Sequence, residues 1–274
     1  MGCFGGEGPL MGRQDVADAL DAEMARRMLP PQAVQAAADW LARSGAGTGG
    51  ADGHGVRYLP ARWAAIGPWP GAFAARTGSG TAVVSRAQVV AAVRAAAGRG
   101  AWAEALVASY VWGQGRTGYG PHRLGRILAE PRTEARLARA AGTLLDRGAV
   151  AAYREVDRAV KGLGPAFFTK YLYFVDRALG PAPGLSALIL DQRVARVLRA
   201  RATRVGTEAA LPSAGEVARW TWSDTGWTAH RYEVYLRWMH AAAEQLARAV
   251  PGWPAGEPDL WELALFQGGW DPAG

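Results

Sequence analysis

The stretch "AVKGLGPAFFTKYLYF", residues 159–174, predicts a helix, a tight turn and a second helix. Gly162 and Gly164 bracket Leu163, so the turn can take backbone angles that side chains forbid. Pro165 suits the first turn of the second helix. Two glycines here leave backbone N–H groups accessible at a helix N-terminus, where they can bind a phosphate. In the alternative interpretation, the glycines simply end the first helix.

The same stretch holds both lysines of the chain, Lys161 and Lys170, beside 29 arginines elsewhere. Arginine pairs with phosphate at least as well as lysine, so charge alone does not explain the exception. Only lysine can lose a proton near neutral pH and attack carbon as a free amine. Lys170, at the border of the apolar face of the second helix, is therefore a candidate nucleophile, and Lys161 is better placed to meet a phosphate. The alternative is that Lys170 extends along the surface to water.

The amino-acid composition limits the classes of protein to which the chain can belong. The 274 residues are half apolar and one fifth charged, which is typical of a globular protein with one large or two small domains. The net charge of +7 favours a polyanionic partner such as nucleic acid. Cys3 is the only cysteine, which excludes disulfides and cysteine-ligated zinc and suits a reducing interior. No apolar run has transmembrane length, so we expect a cytoplasmic protein without a membrane partner.

Helical periodicity dominates the chain and predicts an all-α fold. Residues 45–82 are rich in Gly, Pro and Trp and form a long irregular connection, followed by one short strand candidate, "TAVVS" (81–85). Helices are expected over 13–44, divided at Pro30 and Pro31, and at about 86–98, 101–112, 121–129, 132–147, 150–160, 165–179, 192–203, 213–221, 229–249 and 258–267.

The many short helices are expected to pack around one or two cores, as one body or as two helical subdomains, and a cleft should open between the helix groups. We divide the chain into an N-terminal part (1–100), a helical core that contains the two helices joined by a tight turn at about 150–179 (101–190), and a C-terminal part (191–274). The N-terminal part is expected to pack on the C-terminal helices, and the C-terminal part to complete the cleft.

Asp191 ends an apolar run in "LSALILDQRVARVL" (185–198) and precedes a helix that carries Arg193. An aspartate in this position is typical of a helix N-cap. A cap and a second, functional role of Asp191 can coexist.

The ordered set of a Gly-Leu-Gly turn, a lysine, a loop with Gly and Pro and then Asp191 resembles the helix-hairpin-helix DNA glycosylases, and among them the 8-oxoguanine glycosylase branch. "DLWELALFQ" (259–267) is similar to the C-terminal helix of that branch, in which a glutamine and a phenylalanine four residues apart recognise the flipped base; Glu262 and Phe266 stand there. "ALVASYVWGQGRTGYG" (105–120) is similar to the segment in which a polar residue fills the space left by the extruded nucleotide, and Gln114 matches it.

The resemblance implies an enzyme that binds duplex DNA containing a damaged base, as a monomer in the cytoplasm near the bacterial nucleoid. It implies excision of 8-oxoguanine by base flipping, with a lysine nucleophile, a Schiff base and strand cleavage by β-elimination. No cofactor or metal is implied, and the four histidines show no ligand spacing. The implied catalytic residues are Lys170 and Asp191, the DNA-binding residues Lys161, Gly162, Leu163, Gly164, Arg193 and Gln114, and the base-recognition residues Glu262, Phe266 and Trp112.

The chain departs from the common pattern of these enzymes in three ways. Ala166 occupies the usual place of the catalytic lysine, with Lys170 one helical turn further on, and the loop to Asp191 is longer. Glu262 replaces glutamine, although a carboxylate can accept both N1–H and N2–H of a guanine. Without the resemblance, Glu262 and Phe266 fit equally well on a plain amphipathic helix. The resemblance covers roughly residues 100–270.

Three other functions stay open from sequence. The chain could be a glycosylase for alkylated bases or mismatched adenine, without lyase activity. It could be a DNA-binding protein that keeps the hairpin and has no chemistry. It could also be a helical protein unrelated to DNA that uses its cleft and the Trp-rich loop (62–70) for a small molecule.

Overall fold

The computed structural model describes residues 11–46, 49–77, 80–116 and 118–273, and Cys3 lies outside them. These residues form twelve α-helices and one two-stranded antiparallel sheet. The helices are α1 (Arg13–Arg27), α2 (Pro31–Ser44), α3 (Arg86–Ala97), α4 (Trp102–Gln114), α5 (Gly120–Leu128), α6 (Thr133–Arg147), α7 (Ala149–Val156), α8 (Pro165–Leu179), α9 (Gln192–Glu208), α10 (Ala214–Thr221), α11 (Ala229–Ala249) and α12 (Pro258–Phe266). The fold class is therefore the all-α class that periodicity predicts.

Local chemistry explains where many of these helices begin. Ser85 accepts a hydrogen bond from the backbone of Gln88, whose side chain returns the contact, and this capping box starts α3. The side chains of Asp191 and Thr228 accept backbone N–H groups at the starts of α9 and α11, as simple N-caps. Proline opens α2, α8 and α12, in the first turn, where its missing N–H costs nothing.

The first helix of the sequence-predicted hairpin is shorter than expected. Periodicity predicts a helix over 150–160, but α7 ends at Val156, because Arg158 takes a positive φ of 60° that a helix cannot contain. The turn into α8 therefore spans 157–164. Within it Gly162 has a φ of 84°, which favours glycine, and Gly164 is extended at the N-cap of α8.

The irregular segment before α3 also contains regular structure. Strand β1 (Gly55–Tyr58) pairs with β2 (Ala82–Ser85), which confirms the strand candidate, with Val56 opposite Val84. A short 3-10 helix, Pro60–Trp63, follows β1, and β1 packs on α4. A two-stranded sheet thus joins the two ends of the long connection and packs on the helical core.

Helices α4 and α8 form the centre of the molecule. Every residue of α4 from Ala105 to Trp112, and of α8 from Phe168 to Asp176, is buried. A helix that is buried on all sides needs neighbours on all sides. Helix α8 accordingly packs on α3, α4, α6 and α7.

A second set of helices packs around α9. Helix α1 lies on α9 and α10, α11 packs on α12, and α2 contacts both α11 and α12. The first two helices therefore pack with C-terminal helices, whereas α3 packs with α4 and α8. The division of the chain at residues 100 and 190 remains a prediction.

Candidate active site

A cavity of about 210 Å³ lies where the two sets of helices meet. Its walls come from the loop before β1 and from β1 itself, from the end of α4, from α8, from the segment before α9, and from α12. All the residues to which the resemblance gives a catalytic or base-recognition role, and also Gln114, line this cavity. They are Trp112, Gln114, Lys170, Asp191, Glu262 and Phe266.

Lys170 is a buried residue that lines this cavity. Its side chain is 8% exposed, so the alternative in which it reaches bulk water is wrong. Its Nζ donates a hydrogen bond to the carbonyl of Ala166 at 2.8 Å and lies 3.9 Å from Oδ2 of Asp191. Burial lowers the pKa of Lys170, against the opposing effect of Asp191 and Glu262. A larger fraction of its amine is therefore neutral than for an ordinary lysine.

Gly113 gives the lysine stem its space. A Cβ added at Gly113 would lie 2.6 Å from Cδ and 3.1 Å from Cε of Lys170. The ring of Phe167 covers the same side, with the Lys170 Nζ 5.7 Å from the ring centre. A side chain at 113 would therefore push the amine away from its present place.

The two carboxylate oxygens of Asp191 make different contacts. Oδ1 accepts hydrogen bonds from the backbone N–H groups of Arg193 and Val194, at 3.0 and 3.2 Å, and so caps α9. Oδ2 faces Lys170. The segment that leads to Asp191 is fixed as well, because Tyr235 donates to the carbonyl of Ile189 at 2.6 Å. Capping and the contact with lysine therefore coexist.

Glu262 is buried and is held by Arg86, which no sequence pattern singles out. Both Glu262 oxygens accept from Arg86, at 3.2 and 3.4 Å, and Arg86 also donates to the hydroxyl of Tyr173, which in turn donates to Asp259. Burial raises the pKa of Glu262 to about 7, although Arg86 opposes this. Each carboxylate oxygen has two lone pairs, so Glu262 keeps acceptor capacity towards the cavity.

Aromatic rings form another part of the wall. The ring of His54 meets the ring of Trp112 edge-on at 5.3 Å and lies 5.9 Å from the ring of Phe266. Trp112 also packs edge-on against Phe174, at 5.2 Å. The guanidinium of Arg193 lies 4.9 Å from the centre of the Phe266 ring. Flat apolar surfaces of this kind suit a planar ligand.

Gln114 ends α4 and lines the cavity from a partly buried position. Its side chain packs against the loop that follows, since a Cβ on Gly120 would lie 2.2 Å from its Cγ. Gly120 is therefore needed for the present position of Gln114.

The remaining residues with an implied DNA-binding role lie outside the cavity lining. Lys161, Gly162 and Gly164 are exposed on the turn before α8, while Leu163 is buried and anchors it. Arg193 is exposed in the first turn of α9. The structure thus separates an exposed turn from a buried site.

Two residues of this site were not identified from sequence. His54 comes from the irregular segment, and Arg86 starts α3, 176 positions before its partner Glu262. No local pattern marks either one. Among the described residues, no group of three or more His, Cys, Asp or Glu could hold a metal ion, and no helix has the length and apolar character needed to cross a bilayer.

Comparison with known protein families assigns the chain. The model of the family described as "Putative 8-oxoguanine DNA glycosylase OGG-like protein" matches residues 49–266. The chain belongs to this family. The match to these DNA glycosylases begins at residue 49. The sequence motifs placed the start of the resemblance at about residue 100, which is too late in the chain. His54 and Arg86 both fall inside the matched part. Neither the curated proteins nor the solved structures gave a match.

Proposed function

We propose that this glycosylase excises 8-oxoguanine from duplex DNA and then cleaves the strand through a Schiff base on Lys170. One observation carries the proposal: a buried amine with a lowered pKa lies 3.9 Å from a carboxylate, inside a cavity lined by aromatic rings. An amine at such a site is a nucleophile suited to a carbon centre. Perturbed titratable groups that meet in a cavity are typical of active sites.

A base inside a duplex is out of reach of this amine, so the nucleotide has to leave the stack. In our proposal the exposed turn at Gly162–Gly164, with Lys161 and Arg193, holds backbone phosphates without reading sequence. Gln114 fills the vacated space in the duplex. Phe266 and Trp112 pack against the extruded base, and Glu262 accepts its N1–H and N2–H.

The neutral amine of Lys170 then attacks C1′, and the electron pair of the C1′–N9 bond leaves with the base. Asp191 stabilises the positive charge that develops on the sugar. It also carries one proton from the attacking nitrogen to the leaving base. The C1′–O4′ bond opens, O4′ takes up a proton, and the nitrogen lone pair forms the protonated Schiff base. Loss of a C2′ proton expels the 3′ phosphate.

The decisive experiment incubates the protein with end-labelled duplexes that each contain one lesion: 8-oxoguanine, an alkylated purine, adenine opposite guanine, or an abasic site. We expect cleavage of the 8-oxoguanine strand without alkali, and a covalent complex in sodium borohydride. Cleavage only after alkali would indicate a glycosylase without lyase activity. Absence of cleavage of every duplex, with salt-dependent binding retained, would contradict the proposal and favour a non-catalytic DNA-binding protein.

A further inference from the structure

Trp220 is a large aromatic residue that the fold leaves accessible in the last turn of α10. It is 43% exposed, whereas the next two residues, Thr221 and Trp222, are buried. The hydroxyl of Thr221 donates a hydrogen bond to the carbonyl of Val217 at 3.0 Å, which fixes this end of the helix. The exposure of the Trp220 ring is therefore a property of an ordered helix.

An arginine holds the Trp220 ring from one side. The guanidinium of Arg13, the first residue of α1, lies 4.4 Å from the centre of the ring. A cation over the face of a tryptophan is a favourable contact. Trp220 also lines a groove of about 460 Å³, together with Arg219 and His230. The ring is thus positioned in advance at the edge of a groove, with a positive side chain next to it.

A second groove, of about 640 Å³, continues from the first, because Arg219 lines both. Its walls come mainly from α9 and α10, which pack closely: a Cβ added at Gly206 would lie 2.7 Å from Cβ of Ala214. Among the described residues that line this second groove, four are arginines and one is a carboxylate. They are Arg196, Arg199, Arg204, Arg219 and Glu208. We call the four arginines and Trp220 the α9–α10 surface.

The positive charge of the α9–α10 surface is only partly neutralised by neighbouring carboxylates. Arg196 and Arg199 share one carboxylate, that of Asp224, at 2.7 and 3.1 Å. Glu208 is engaged by Arg27 of α1 at 2.8 Å, so its charge is divided between two sides. A net positive charge therefore remains, and it attracts a polyanion.

The α9–α10 surface begins close to the active-site cavity. Asp224 accepts a hydrogen bond from Nε2 of Gln192 at 2.7 Å, in the first turn of α9. That helix starts directly after Asp191, which lines the cavity. From Arg193, the proposed phosphate contact, to Arg204 the helix rises by about 16 Å, at about 1.5 Å per residue. The surface therefore extends away from the place where we expect the duplex to be held.

An accessible aromatic ring among arginines indicates the chemistry of the partner. Proteins that bind single strands combine a positive groove for the backbone with aromatic rings on which bases stack. In a duplex the faces of the bases already stack on each other, so only an unpaired base offers a face to Trp220. An acidic peptide would pair with the arginines but would give the ring no role. Guanidinium groups also pair well with phosphate.

We propose that the α9–α10 surface binds single-stranded DNA, with an unpaired base stacked on Trp220 and backbone phosphates held by Arg219, Arg199 and Arg196. This second DNA site lies outside the active-site cavity and uses none of its residues. It goes beyond the proposed excision and does not depend on it.

The test measures Kd values by fluorescence anisotropy for two probes without a lesion. One is an oligothymidine of about 15 nucleotides, within the range of known single-strand site sizes, and the other is a blunt duplex of the same length. Trp220→Ala removes the stacking surface, so the Kd for oligothymidine should rise about tenfold while that for the duplex stays the same. Arg219→Gln should lower the slope of log K against log salt for oligothymidine by about 0.7.

Two matched controls lie on α6, away from both grooves. Leu145→Ala removes an exposed apolar side chain, and Arg139→Gln removes an arginine whose side chain is 70% exposed. Both should leave binding of oligothymidine unchanged. Lys161→Gln should weaken binding of the duplex and not of oligothymidine. Thermal melting checks the folding of each variant, and Arg219→Gln carries the test if Trp220→Ala does not fold.

Several outcomes would overturn the inference. One is the absence of oligothymidine binding by the unaltered chain, and another is unchanged binding in both Trp220→Ala and Arg219→Gln. Equal losses for the two probes would identify a contact with duplex backbone instead. Displacement of oligothymidine by polyglutamate as effective as by unlabelled oligothymidine would identify a site for acidic peptides. Because neither probe carries a lesion, failure of the chain to cleave 8-oxoguanine DNA would overturn the proposed function and leave this inference intact.

Discussion

The ε-nitrogen of Lys170 in α8 lies 3.9 Å from Oδ2 of Asp191, although a loop separates α8 from Asp191, the N-cap of α9. The distance is too long for a direct hydrogen bond and short enough for strong electrostatic interaction in a buried site. The amine instead donates to a backbone carbonyl of its own helix. It is thus held near the carboxylate without a hydrogen bond to it.

Substitution of the two lysines should give opposite results. Lys170→Gln removes the nucleophile and keeps a side chain of similar length, so borohydride trapping on 8-oxoguanine DNA should be abolished. Lys161→Gln removes an exposed charge on the turn, so trapping at saturating protein should persist while duplex affinity falls and its salt dependence weakens. Because the chain contains only these two lysines, mass spectrometry of the trapped complex can locate the adduct. An adduct on Lys161 would contradict the assignment.

Asp191→Asn should separate chemistry from folding. Asparagine caps a helix about as well as aspartate, so the melting temperature should stay close to that of the unaltered chain. Excision should fall roughly a hundredfold or more, because the developing positive charge on the sugar loses its stabilising carboxylate. Asp191→Ala should show the same loss of excision and also lose about 1 kcal/mol of stability with the cap. Single-turnover excision by Asp191→Asn at the unaltered rate would remove Asp191 from the mechanism.

Gly113→Ala should impair the reaction without unfolding the protein. The new methyl group would overlap Cδ of Lys170, and this flexible stem can shift at little cost in stability. Displacement of the amine by about 1 Å can lower a rate up to about a hundredfold. The trapping rate measures the effect, and Gly142→Ala in α6, where nothing lies within 4 Å of the added Cβ, is the control. The control should trap normally and gain about 0.5–1 kcal/mol of stability.

The pH dependence of excision should reflect Glu262 and Lys170 together. The pKa of Glu262 is raised to about 7, so its carboxylate is ionised and able to accept two hydrogen bonds only above that pH. The pKa of Lys170 is lowered by burial, so its neutral fraction also grows as pH rises. We therefore expect single-turnover excision to increase with pH through about 7.

Glu262→Gln tests the assignment of this increase. In this variant the single-turnover excision rate should no longer show a step near pH 7. The rate should still rise with pH because the neutral fraction of Lys170 grows. Its melting temperature must be recorded, because Arg86 is left without its partner. A step near pH 7 that persists in Glu262→Gln would show that another group titrates there.

The sequence predicts the helices well because their causes are local. Periodicity, the Ser85 and Asp191 caps and the prolines at the starts of α2, α8 and α12 act within one or two turns. The end of α7 was missed because an arginine with positive φ carries no sequence signal. Lys170 and Asp191, which both line the cavity, could be selected from sequence because each follows a recognisable feature of the chain.

Arg86 and His54, which complete the site, could not be predicted from local sequence patterns. The ion pair between Arg86 and Glu262 and the ring contacts of His54 join distant parts of the chain, and nothing in their immediate neighbours requires them. They become visible only when the packing of α3, α8 and α12 is known. Tertiary pairing, rather than local propensity, therefore decides how the cavity is lined.

Residues of β1, α4, α8 and α12 line the cavity, and α12 comes last in the chain. The order in which these elements are synthesised therefore matters for the assembly of the cavity. Folding proceeds from the N-terminus as the chain leaves the ribosome, so Lys170 emerges long before Glu262 and Phe266. Until α12 docks, the nascent chain contains Lys170 and Asp191 but lacks the part of the cavity wall that Glu262 and Phe266 supply. The cavity can therefore close only after nearly the whole chain has left the ribosome.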